Sequence, residues 1–388
     1  MKVLHTSDWH VGKRLGRFDR MDDHTAVLDE VVAIAERERA DLVLHSGDLF
    51  DRPMPPIDAL RAGLDALVRL AAGGERPVVV VAGNHDAPGL FEALAPFLEG
   101  FGIHLVGRIK APDEGGVLTL ATSDGPAHVA CFPFLRAAQA VDFMERADTW
   151  YGSYADRVRR ITEAYAEAVG ERVGGDGVGF LVGHWMVGGV RVRTGAPRGE
   201  RELHIGEAYA ATEQSVPPGL DYVALGHIHA PQPVPGARVP AEYAGSLLQL
   251  DFGEAEEDKR VVLVEASPGA PAAVRSVPLR AGRRLVRASG TWDEIAGRDD
   301  LDDAYLDLSV DTEGPDPGLV DLARERFEHV VKVQARYERP DRPEAAAANR
   351  PLDELYSEYH LSHHGTPVPE ELLAAFRALE EEATGAPD

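Results

Sequence analysis

The stretch Asp41-Leu-Val-Leu-His-Ser-Gly-Asp-Leu-Phe-Asp51 has the pattern of a buried β-strand that ends abruptly at a carboxylate. Its apolar run, residues 42–44, is typical of a strand covered on both faces, and Gly47 lets the backbone turn sharply before Asp48. Because ligands in open α/β sheets bind beyond the carboxyl ends of the strands, Asp48 is a candidate site residue. A Gly-Asp pair is also an ordinary turn sequence, so this interpretation needs other strands that end in complementary groups.

Strands and helices alternate on either side of this stretch. Residues 2–6 predict a strand, and the apolar spacing of residues 22–40 predicts an amphipathic helix. A Pro-rich bend leads into a second helix that ends near Ala72, and residues 77–82 predict a third strand. This order of elements, within about 85 residues, predicts a parallel sheet with right-handed crossovers.

The chain that follows predicts a second sheet packed on the first. Apolar runs predict further strands over residues 103–106, 117–120, 127–132, 178–182, 221–225, 241–244 and 260–265. We expect the last two of these strands to complete the second sheet. Helices are predicted over 90–98 and 154–169, and a long surface loop over 188–216. The fold class is therefore α/β, with two packed sheets flanked by helices.

Composition changes around residues 267–282, where proline, glycine and alanine predict a domain boundary. A small α+β domain is predicted beyond it, with a strand over 305–310, a helix over 319–327 and alternating apolar residues over 331–337. Two helical segments with apolar stripes, 352–360 and 369–383, follow a proline-containing linker. These features divide the chain into residues 1–280, 281–340 and 341–388.

Length and composition restrict the class of protein. The 388 residues suffice for two domains, and 44% hydrophobic with 27% charged residues is typical of a soluble globular chain. With no signal peptide and no run of about 18 apolar residues, we expect a cytoplasmic protein without membrane contact. Cys131 is the only cysteine, which excludes an intrachain disulfide and thiolate zinc sites. The net charge of −25 disfavours a sequence-reading DNA-binding protein, but clustered carboxylates also serve to hold cations.

Five segments end in aspartate, asparagine or histidine. They are Asp8-Trp-His10, Gly47-Asp48, Gly83-Asn-His-Asp86, Gly183-His184 and Gly226-His-Ile-His229. Because the carboxyl ends of parallel strands converge at one edge of a sheet, we expect these groups to meet there. Their nitrogen and oxygen donors suit manganese, iron or zinc better than magnesium, and a carboxylate between two such ions is an arrangement that hydrolyses phosphate esters. Each segment alone is compatible with a turn or a structural histidine, but the ordered set favours a metal site.

The ordered motifs resemble those of the calcineurin-like metallophosphoesterases. Within that superfamily the chain is similar to the nuclease subunits of bacterial double-strand-break processing complexes, and residues 243–254 are similar to the segment that follows the metal histidines there. The narrower resemblance is carried by Ser7-Asp-Trp-His-Val-Gly12, Ser46-Gly-Asp-Leu-Phe-Asp51, Gly83-Asn-His-Asp86 and Ala224-Leu-Gly-His-Ile-His229. It implies a two-sheet metallophosphoesterase sandwich, a small α+β capping domain and C-terminal helices.

The resemblance also implies a role for each motif residue. The implied ligands are Asp8, His10, Asp48 and His229 for the first metal, and Asp48, Asn84, His184 and His227 for the second. Asp48 would bridge the two ions. His85 would face the phosphate instead of binding metal, and would stabilise the transition state or assist the leaving oxygen. The implied cofactors are two divalent ions, for which we favour Mn²⁺ although the motifs leave the native metal open.

A substrate and partners follow from the same resemblance. It implies DNA as the substrate, at double-strand ends and hairpins, an ATPase subunit bound by the C-terminal helices, and a homodimer within a heterotetramer. The apolar stripes of those helices equally suit docking on the chain's own core. Basic residues near the motifs are candidates for DNA contacts or for an ordinary exposed basic loop: Lys13, Arg14, Arg17, Arg20, Arg191, Arg193, Arg198 and Arg201.

Three functions are compatible with these sequence features. They are an ATP-dependent DNA nuclease subunit, a stand-alone phosphoesterase acting on a small phosphodiester or a phosphoprotein, and a non-catalytic DNA-end scaffold. The small domain and the C-terminal helices favour the first, because a small-molecule enzyme does not need them. A scaffold would be expected to lack a metal ligand or His85, and this chain retains them all.

Overall fold

Most strands of the described residues belong to two six-stranded sheets. The computed structural model describes residues 1–136, 154–175, 177–191, 210–337, 351–364 and 366–384. The strands are β1 (Lys2–Thr6), β2 (Leu42–His45), β3 (Val78–Val81), β4 (Ile103–Val106), β5 (Val117–Thr122), β6 (Gly125–Phe132), β7 (Val178–His184), β8 (Met186–Val187), β9 (Ala210–Ala211), β10 (Tyr222–Gly226), β11 (Gln232–Pro233), β12 (Ala241–Tyr243), β13 (Arg260–Ser267), β14 (Ala270–Pro278), β15 (Arg284–Thr291), β16 (Ala304–Asp311) and β17 (Val330–Arg336). The helices are α1 (Met21–Glu38), α2 (Ile57–Leu70), α3 (Pro88–Leu98), α4 (Tyr154–Val173), α5 (Trp292–Ala296), α6 (Leu319–Arg326), α7 (Leu352–His364) and α8 (Glu370–Thr384).

The first sheet has the strand order β14-β13-β1-β2-β3-β4. Its strands β1 to β4 are parallel and are connected by α1, α2 and α3, so the predicted opening unit of alternating strands and helices is confirmed. β13 pairs antiparallel with β1, and the prediction that residues 260–265 belong to the second sheet is wrong. β14 then occupies residues 270–278, inside the stretch predicted as a domain boundary. An apolar run predicts a strand but does not tell which distant strand it pairs with.

The second sheet has the order β11-β12-β10-β7-β6-β5. β6, β7, β10 and β12 run parallel, and β5 and β11 pair antiparallel at the edges. β8 and β9 form a separate two-stranded ladder. The prediction of a surface loop over 188–216 is wrong at its carboxyl end, where Ala211, Ser215 and Val216 are buried. Residues 192–209 of that stretch lie outside the described residues.

Alternate residues of the central strands fill different cores. Leu42 and Leu44 of β2 pack between the two sheets with Phe180 and Tyr222 of the second sheet. Val43, between them in sequence, packs against α1 and α2 instead, and α4 covers the outer face of the second sheet. The layers are therefore helix, sheet, sheet and helix, and the predicted two-sheet α/β fold is confirmed. Burial on both faces explains why these strands appear in the sequence as continuous apolar runs.

A three-stranded sheet of order β15-β16-β17 follows, together with α5 and α6. The sequence predicted β16, β17 and α6 but missed β15, because its buried positions Leu285 and Ala288 do not alternate with a period of two. Leu285 packs with Tyr305 of β16 and with Leu15 from the loop that follows β1. This small sheet therefore contacts the chain segment that leaves the first strand.

The two C-terminal helices pack against each other. The rings of Tyr356 and Phe376 stack with their centroids 4.4 Å apart, and Arg377 pairs with Asp353 at 2.6 Å. Contacts group the chain into two compact units, residues 1–310 with 317–334 and residues 311–316 with 335–388. The three-part division predicted from the sequence stays a prediction. Within the described residues, no helix combines the length and the apolar character needed to cross a membrane.

The buried His24 of α1 links stability to pH. Burial, reinforced by the neighbouring Arg20, lowers the pKa of His24 from 6.5 to about 4. Since the folded pKa lies below the unfolded value, the stabilising contribution is complete above pH 6.5 and is lost as the pH falls towards 4. In metal-free protein, His24→Leu should reduce the pH dependence of the unfolding free energy over this range by about 1.4 kcal/mol per pH unit, measured by urea unfolding. Equal slopes in wild type and variant would contradict this prediction.

Candidate metal centre

The five predicted segments meet at one end of the sandwich, where strands of both sheets end. From the first sheet come Asp8 and His10 after β1, Asp48 after β2, and Asn84 and His85 after β3. From the second sheet come His184 at the end of β7, and His227 and His229 after β10. The expectation that one sheet edge carries all five segments is thereby corrected. Two packed sheets contribute, because their parallel strands end on the same side.

Asp48 lies between histidines from the two sheets. Its Oδ2 atom is 3.5 Å from Nε2 of His10 and 3.4 Å from Nε2 of His184. Its Oδ1 atom accepts a hydrogen bond of 2.8 Å from the backbone N–H of His85. One carboxylate oxygen thus approaches a donor nitrogen from each half of the predicted ligand set, which is the placement expected of a bridging ligand.

The first group of donors consists of Asp8, His10 and His229. The Nε2 atoms of the two histidines are 3.2 Å apart, and one donor atom from each of the three residues lies within 4.8 Å of the others. Two imidazole nitrogens and a carboxylate oxygen therefore lie close enough together to share one cation. A divalent cation among them would be bound by all three residues.

The second group of donors consists of Asn84, His184 and His227. Oδ1 of Asn84 is 2.9 Å from Nε2 of His184 and 3.0 Å from Nδ1 of His227. Donor atoms of His184, Asp48 and Asp8 also lie within 4.8 Å of one another, so the two groups adjoin. Mixed nitrogen and oxygen donors of this kind fit first-row divalent metals, and the residues present therefore fit a pair of such ions.

The backbone adopts an uncommon conformation at four of these donors. Positive φ angles occur at Asp8 (49°), His10 (44°), Asp48 (54°) and His227 (92°). This conformation is less stable by about 1–3 kcal/mol for a residue with a side chain, so contacts with the surrounding residues must stabilise it. The Asp8 carboxylate, for example, accepts hydrogen bonds from the Ser7 hydroxyl (2.5 Å) and the His227 backbone N–H (3.1 Å). The strain is concentrated where the chain turns sharply from a strand to present a donor.

Two glycines of the motifs are required by close packing. A Cβ atom on Gly83 would overlap the carboxylate of Asp48, and one on Gly226 would overlap the backbone oxygen of Ser46 and the hydroxyl of Ser7. Neither glycine has a positive φ angle, so space and not turn geometry demands them. The pattern of a glycine before a polar group, interpreted from the sequence as a turn signal, therefore has a second physical cause.

Residues outside the predicted set orient the histidines. Nδ1 of His229 is 2.9 Å from a carboxylate oxygen of Glu254, and Nδ1 of His184 is 2.8 Å from the backbone oxygen of Ser46. Such contacts leave Nε2 of each ring for a metal and are the usual partners of metal-bound histidines. The sequence did not predict Glu254 as a site residue, although Glu254 closes the stretch 243–254 that resembles the family. Nothing in the local sequence tells which carboxylate a distant histidine will meet.

Asp51 is a second residue that the sequence analysis did not single out. Its Oδ1 is 3.7 Å from Nδ1 of His10 and 3.0 Å from Nζ of Lys13, while its backbone oxygen accepts a hydrogen bond of 2.9 Å from Nδ1 of His85. The ring of His85 lies beside that of His10, with centroids 4.7 Å apart. The hydrogen bond to Asp51 fixes the His85 ring and leaves its Nε2 for another partner.

Nearby positive charge keeps the buried carboxylates ionised. Burial raises the pKa of Asp48, but His184 and His10 more than offset this and hold it well below its usual range. Burial conversely lowers the pKa of His184, and Asp48 outweighs that effect and raises it to about 9. Burial also raises the pKa of Glu254, whereas Lys259, 2.7 Å away, contributes most to holding it below its usual range. Metal binding would compete with the proton on His184, because a metal ligand must be deprotonated.

The basic residues predicted to contact DNA have different environments. Those that are exposed or partly exposed are Lys13, Arg14, Arg17 and Arg191. Those that lie outside the described residues are Arg193, Arg198 and Arg201. Arg20 is buried and its guanidinium lies over the ring of Tyr305, so the prediction of Arg20 as a DNA contact is wrong. DNA contact by the other residues stays a prediction.

The known proteins to which this chain is similar include phosphoesterases and nuclease subunits. The family model of the calcineurin-like phosphoesterases matches residues 1–231. The SbcD subunit of nuclease SbcCD from Bacillus subtilis (strain 168) is 30% identical over 397 residues, which cover 98% of this chain and 97% of that protein. The SbcD subunit of nuclease SbcCD from Rhodobacter capsulatus is 31% identical over 287 residues, 72% of this chain and 69% of that protein. A solved dimetal phosphatase from Danio rerio is 10% identical with a TM-score of 0.39, covering 71% of this chain and 98% of its own.

The fold and the donor set together define a metal-dependent phosphoesterase. The chain belongs to the calcineurin-like phosphoesterases and, within them, to the SbcD family of nuclease subunits. The resemblance inferred from the motifs is therefore confirmed. The similarity to the Bacillus subtilis protein also extends beyond residue 231, over the small sheet and the C-terminal helices.

Glu254→Gln should weaken the binding of Mn²⁺ by about 10–100-fold, because the amide no longer holds the His229 ring as a carboxylate does. Isothermal titration calorimetry on the metal-free protein measures this affinity. Glu257→Gln is the matched control, since Glu257 also pairs with Lys259, at 2.9 Å, and it should change the affinity by less than about fivefold. An equal loss in both variants would assign the effect to Lys259 instead of to His229.

Gly83→Ala should displace the Asp48 carboxylate and reduce the number of Mn²⁺ ions bound per chain, because the added Cβ occupies its position. Elemental analysis after gel filtration in Mn²⁺-containing buffer gives that number. Gly89→Ala in α3 is the control, since an added Cβ there meets no atom within 4 Å. Full metal content in the Gly83 variant would show that Asp48 tolerates the displacement.

Proposed function

We propose that this chain is the nuclease subunit of an SbcCD complex and hydrolyses phosphodiester bonds of DNA. It would act as an exonuclease and endonuclease on double-strand ends and hairpins, in an ATP-dependent complex that serves DNA repair, recombination and replication. A relative with that name matches nearly the whole chain, which supports the assignment beyond the phosphoesterase part. The observation that carries the proposal is the contact of one Asp48 oxygen with His10 and His184, because two-metal phosphodiester hydrolysis needs such a bridge.

The two donor groups are proposed to hold two divalent ions, with Mn²⁺ as the native metal. The mixture of imidazole, amide and carboxylate donors favours it over Mg²⁺, which prefers oxygen ligands and water. When bound, such ions lower the pKa of water and neutralise charge that develops on the phosphate. The proposed ligands are Asp8, His10, Asp48 and His229 for one ion and Asp48, Asn84, His184 and His227 for the other.

His85 is proposed to act on the phosphate and not on the metal. Its Nδ1 donates to the backbone oxygen of Asp51, so the ring is fixed and Nε2 remains for the substrate. A protonated Nε2 would donate to a phosphate oxygen or to the leaving oxygen as general acid. The backbone N–H of His85 meanwhile helps to hold Asp48.

The other parts of the chain are proposed to bind DNA and partner subunits. Residues 1–280 would form the nuclease domain, 281–340 a DNA-capping domain, and 341–388 the region that binds the ATPase subunit SbcC. Stacking of Tyr356 on Phe376 supports a preformed pair of helices in that last region. We further propose a homodimer within a cytoplasmic heterotetramer. The proposed DNA contacts are Lys13, Arg14, Arg17, Arg191 and Arg193.

Purified protein with Mn²⁺ should degrade linear duplex DNA and hydrolyse bis-p-nitrophenyl phosphate, with ATP dependence appearing once SbcC is added. His85→Ala should lower both activities by about 10²–10⁴-fold and leave two Mn²⁺ ions bound, because it removes a proton donor and no ligand. Asp48→Ala should lose activity and bound metal together. Activity assays with parallel metal analysis separate the two variants.

Two outcomes would contradict this function. If only the small ester is cleaved, even with SbcC and ATP present, the chain is a small-molecule phosphodiesterase. If His85→Ala loses metal as Asp48→Ala does, then His85 is a ligand and its assigned role is wrong.

A further inference from the structure

The loop after β1 continues beyond the metal donors into a tight hairpin. The backbone N–H of Leu15 donates to the oxygen of Phe18 at 3.1 Å, and the reverse bond measures 3.0 Å. The Arg14 guanidinium donates a hydrogen bond of 2.9 Å to the backbone oxygen of Arg17 and so stabilises the turn. We call residues 13–18 the basic hairpin. It exposes the side chains of Arg14 and Arg17.

The basic hairpin is tied to the metal centre at its start. The backbone N–H groups of His10 and Val11 donate to the backbone oxygens of Asp48 (3.0 Å) and Leu49 (3.1 Å). The backbone N–H of Lys13 then donates to the oxygen of His10 at 2.9 Å. The start of the hairpin is thus hydrogen-bonded directly to a predicted metal ligand.

The far side of the basic hairpin packs on the small sheet. Leu15 packs with Leu285 of β15 and Tyr305 of β16. The ring of Phe18 lies 5.5 Å from that of Tyr305 and 5.7 Å from that of His329, measured between centroids. The small sheet therefore determines where the exposed arginines of the hairpin stand relative to the metal donors.

Tyr305 is at the centre of this contact. The guanidinium groups of Arg20 and Arg283 lie over its ring, 5.2 Å and 5.3 Å from the centroid. Arg20 is itself held by Asp23 at 3.0 Å and by the backbone oxygen of Gln249 at 2.6 Å. Arg20 is buried, and the cation–π contact of a desolvated guanidinium group is strong enough to fix a side chain. Tyr305 thus joins the small sheet both to the basic hairpin and to the main sandwich.

We propose that Tyr305 is a positioning residue for duplex DNA, which holds the basic hairpin so that Arg14 and Arg17 bind backbone phosphates beside the metal centre. The inference rests on the proposed nuclease function and deepens it. In a chain of net charge −25, cations beside the metal donors must be held in place to attract a polyanion. A small diester occupies only the metal centre, so Tyr305 should affect DNA binding and not ester hydrolysis.

The salt dependence of DNA binding provides the test. The logarithm of the DNA association constant falls linearly with the logarithm of the salt concentration. Each lost phosphate contact reduces the magnitude of this slope by about 0.9. Fluorescence anisotropy with a labelled duplex, in metal-free buffer to prevent cleavage, gives that slope. Arg17→Gln should reduce it by about one. Tyr305→Leu, which removes no charge, should reduce it by about one to two, and Tyr305→Phe should keep the wild-type slope because it retains the ring.

The double variant of Arg17→Gln and Tyr305→Leu tests whether the two residues act together. Its slope should fall no further than that of Tyr305→Leu alone, since the displaced hairpin has already lost the Arg17 contact. Leu322→Ala is the matched control, because Leu322 is an exposed apolar residue of α6, next to the same small sheet, and it should leave the slope unchanged. Ester hydrolysis should match that of the wild type in all variants, because the small diester does not reach the basic hairpin.

An unchanged slope in folded Tyr305→Leu would overturn the inference, and so would additive losses in the double variant. Thermal unfolding verifies that each variant is folded. If Tyr305→Leu does not fold, Phe18→Leu removes the hairpin's ring from the same contact and the same slope criterion decides. Wild-type protein that hydrolyses the ester but neither binds nor cleaves duplex DNA would instead contradict the proposed function.

Discussion

A buried carboxylate placed between histidines of two different sheets is the interaction on which the rest of this structure depends. Leaving Asp48 ionised in the interior costs several kcal/mol unless positive charge and hydrogen bonds compensate it. His10, His184 and the backbone N–H of His85 supply that compensation. Each of the three comes from a different strand end, so the two sheets must stay in register for the site to exist. The packing of the two sheets therefore also fixes the geometry of the metal centre.

The same requirement explains the backbone around the site. Donors can converge only if the chain turns sharply at each strand end, which accounts for left-handed φ angles at residues that are not glycine. Close approach of the turns to one another accounts for Gly83 and Gly226, where no side chain fits. The loop that begins with Asp8 then reaches the small sheet through Leu15, so that sheet contacts the chain segment that follows the first metal donors.

Much of the fold was predictable because its strands are buried on both faces. Continuous apolar runs predicted β1 to β4, apolar residues at helical spacing predicted α1, and polar groups after the apolar runs predicted the donors. Pairing over long sequence distances was not predictable, so β13 was assigned to the wrong sheet and β15 was missed. The burial of a side chain by a residue distant in sequence was not predictable either, as Arg20 shows. Its neighbours in sequence suggest an exposed basic loop, but Tyr305, far away along the chain, buries it.

The amino-acid sequence by itself determined the class of protein, because metal donors at strand ends must be particular residue types in a particular order. It thereby predicted Asp48, His85 and the other motif residues as the site residues. Only the tertiary structure decided that two sheets share the site, that Glu254 and Asp51 orient its histidines, and that Tyr305 holds the basic hairpin. These are contacts between residues distant in sequence, and their partners are selected by packing, which no local pattern records.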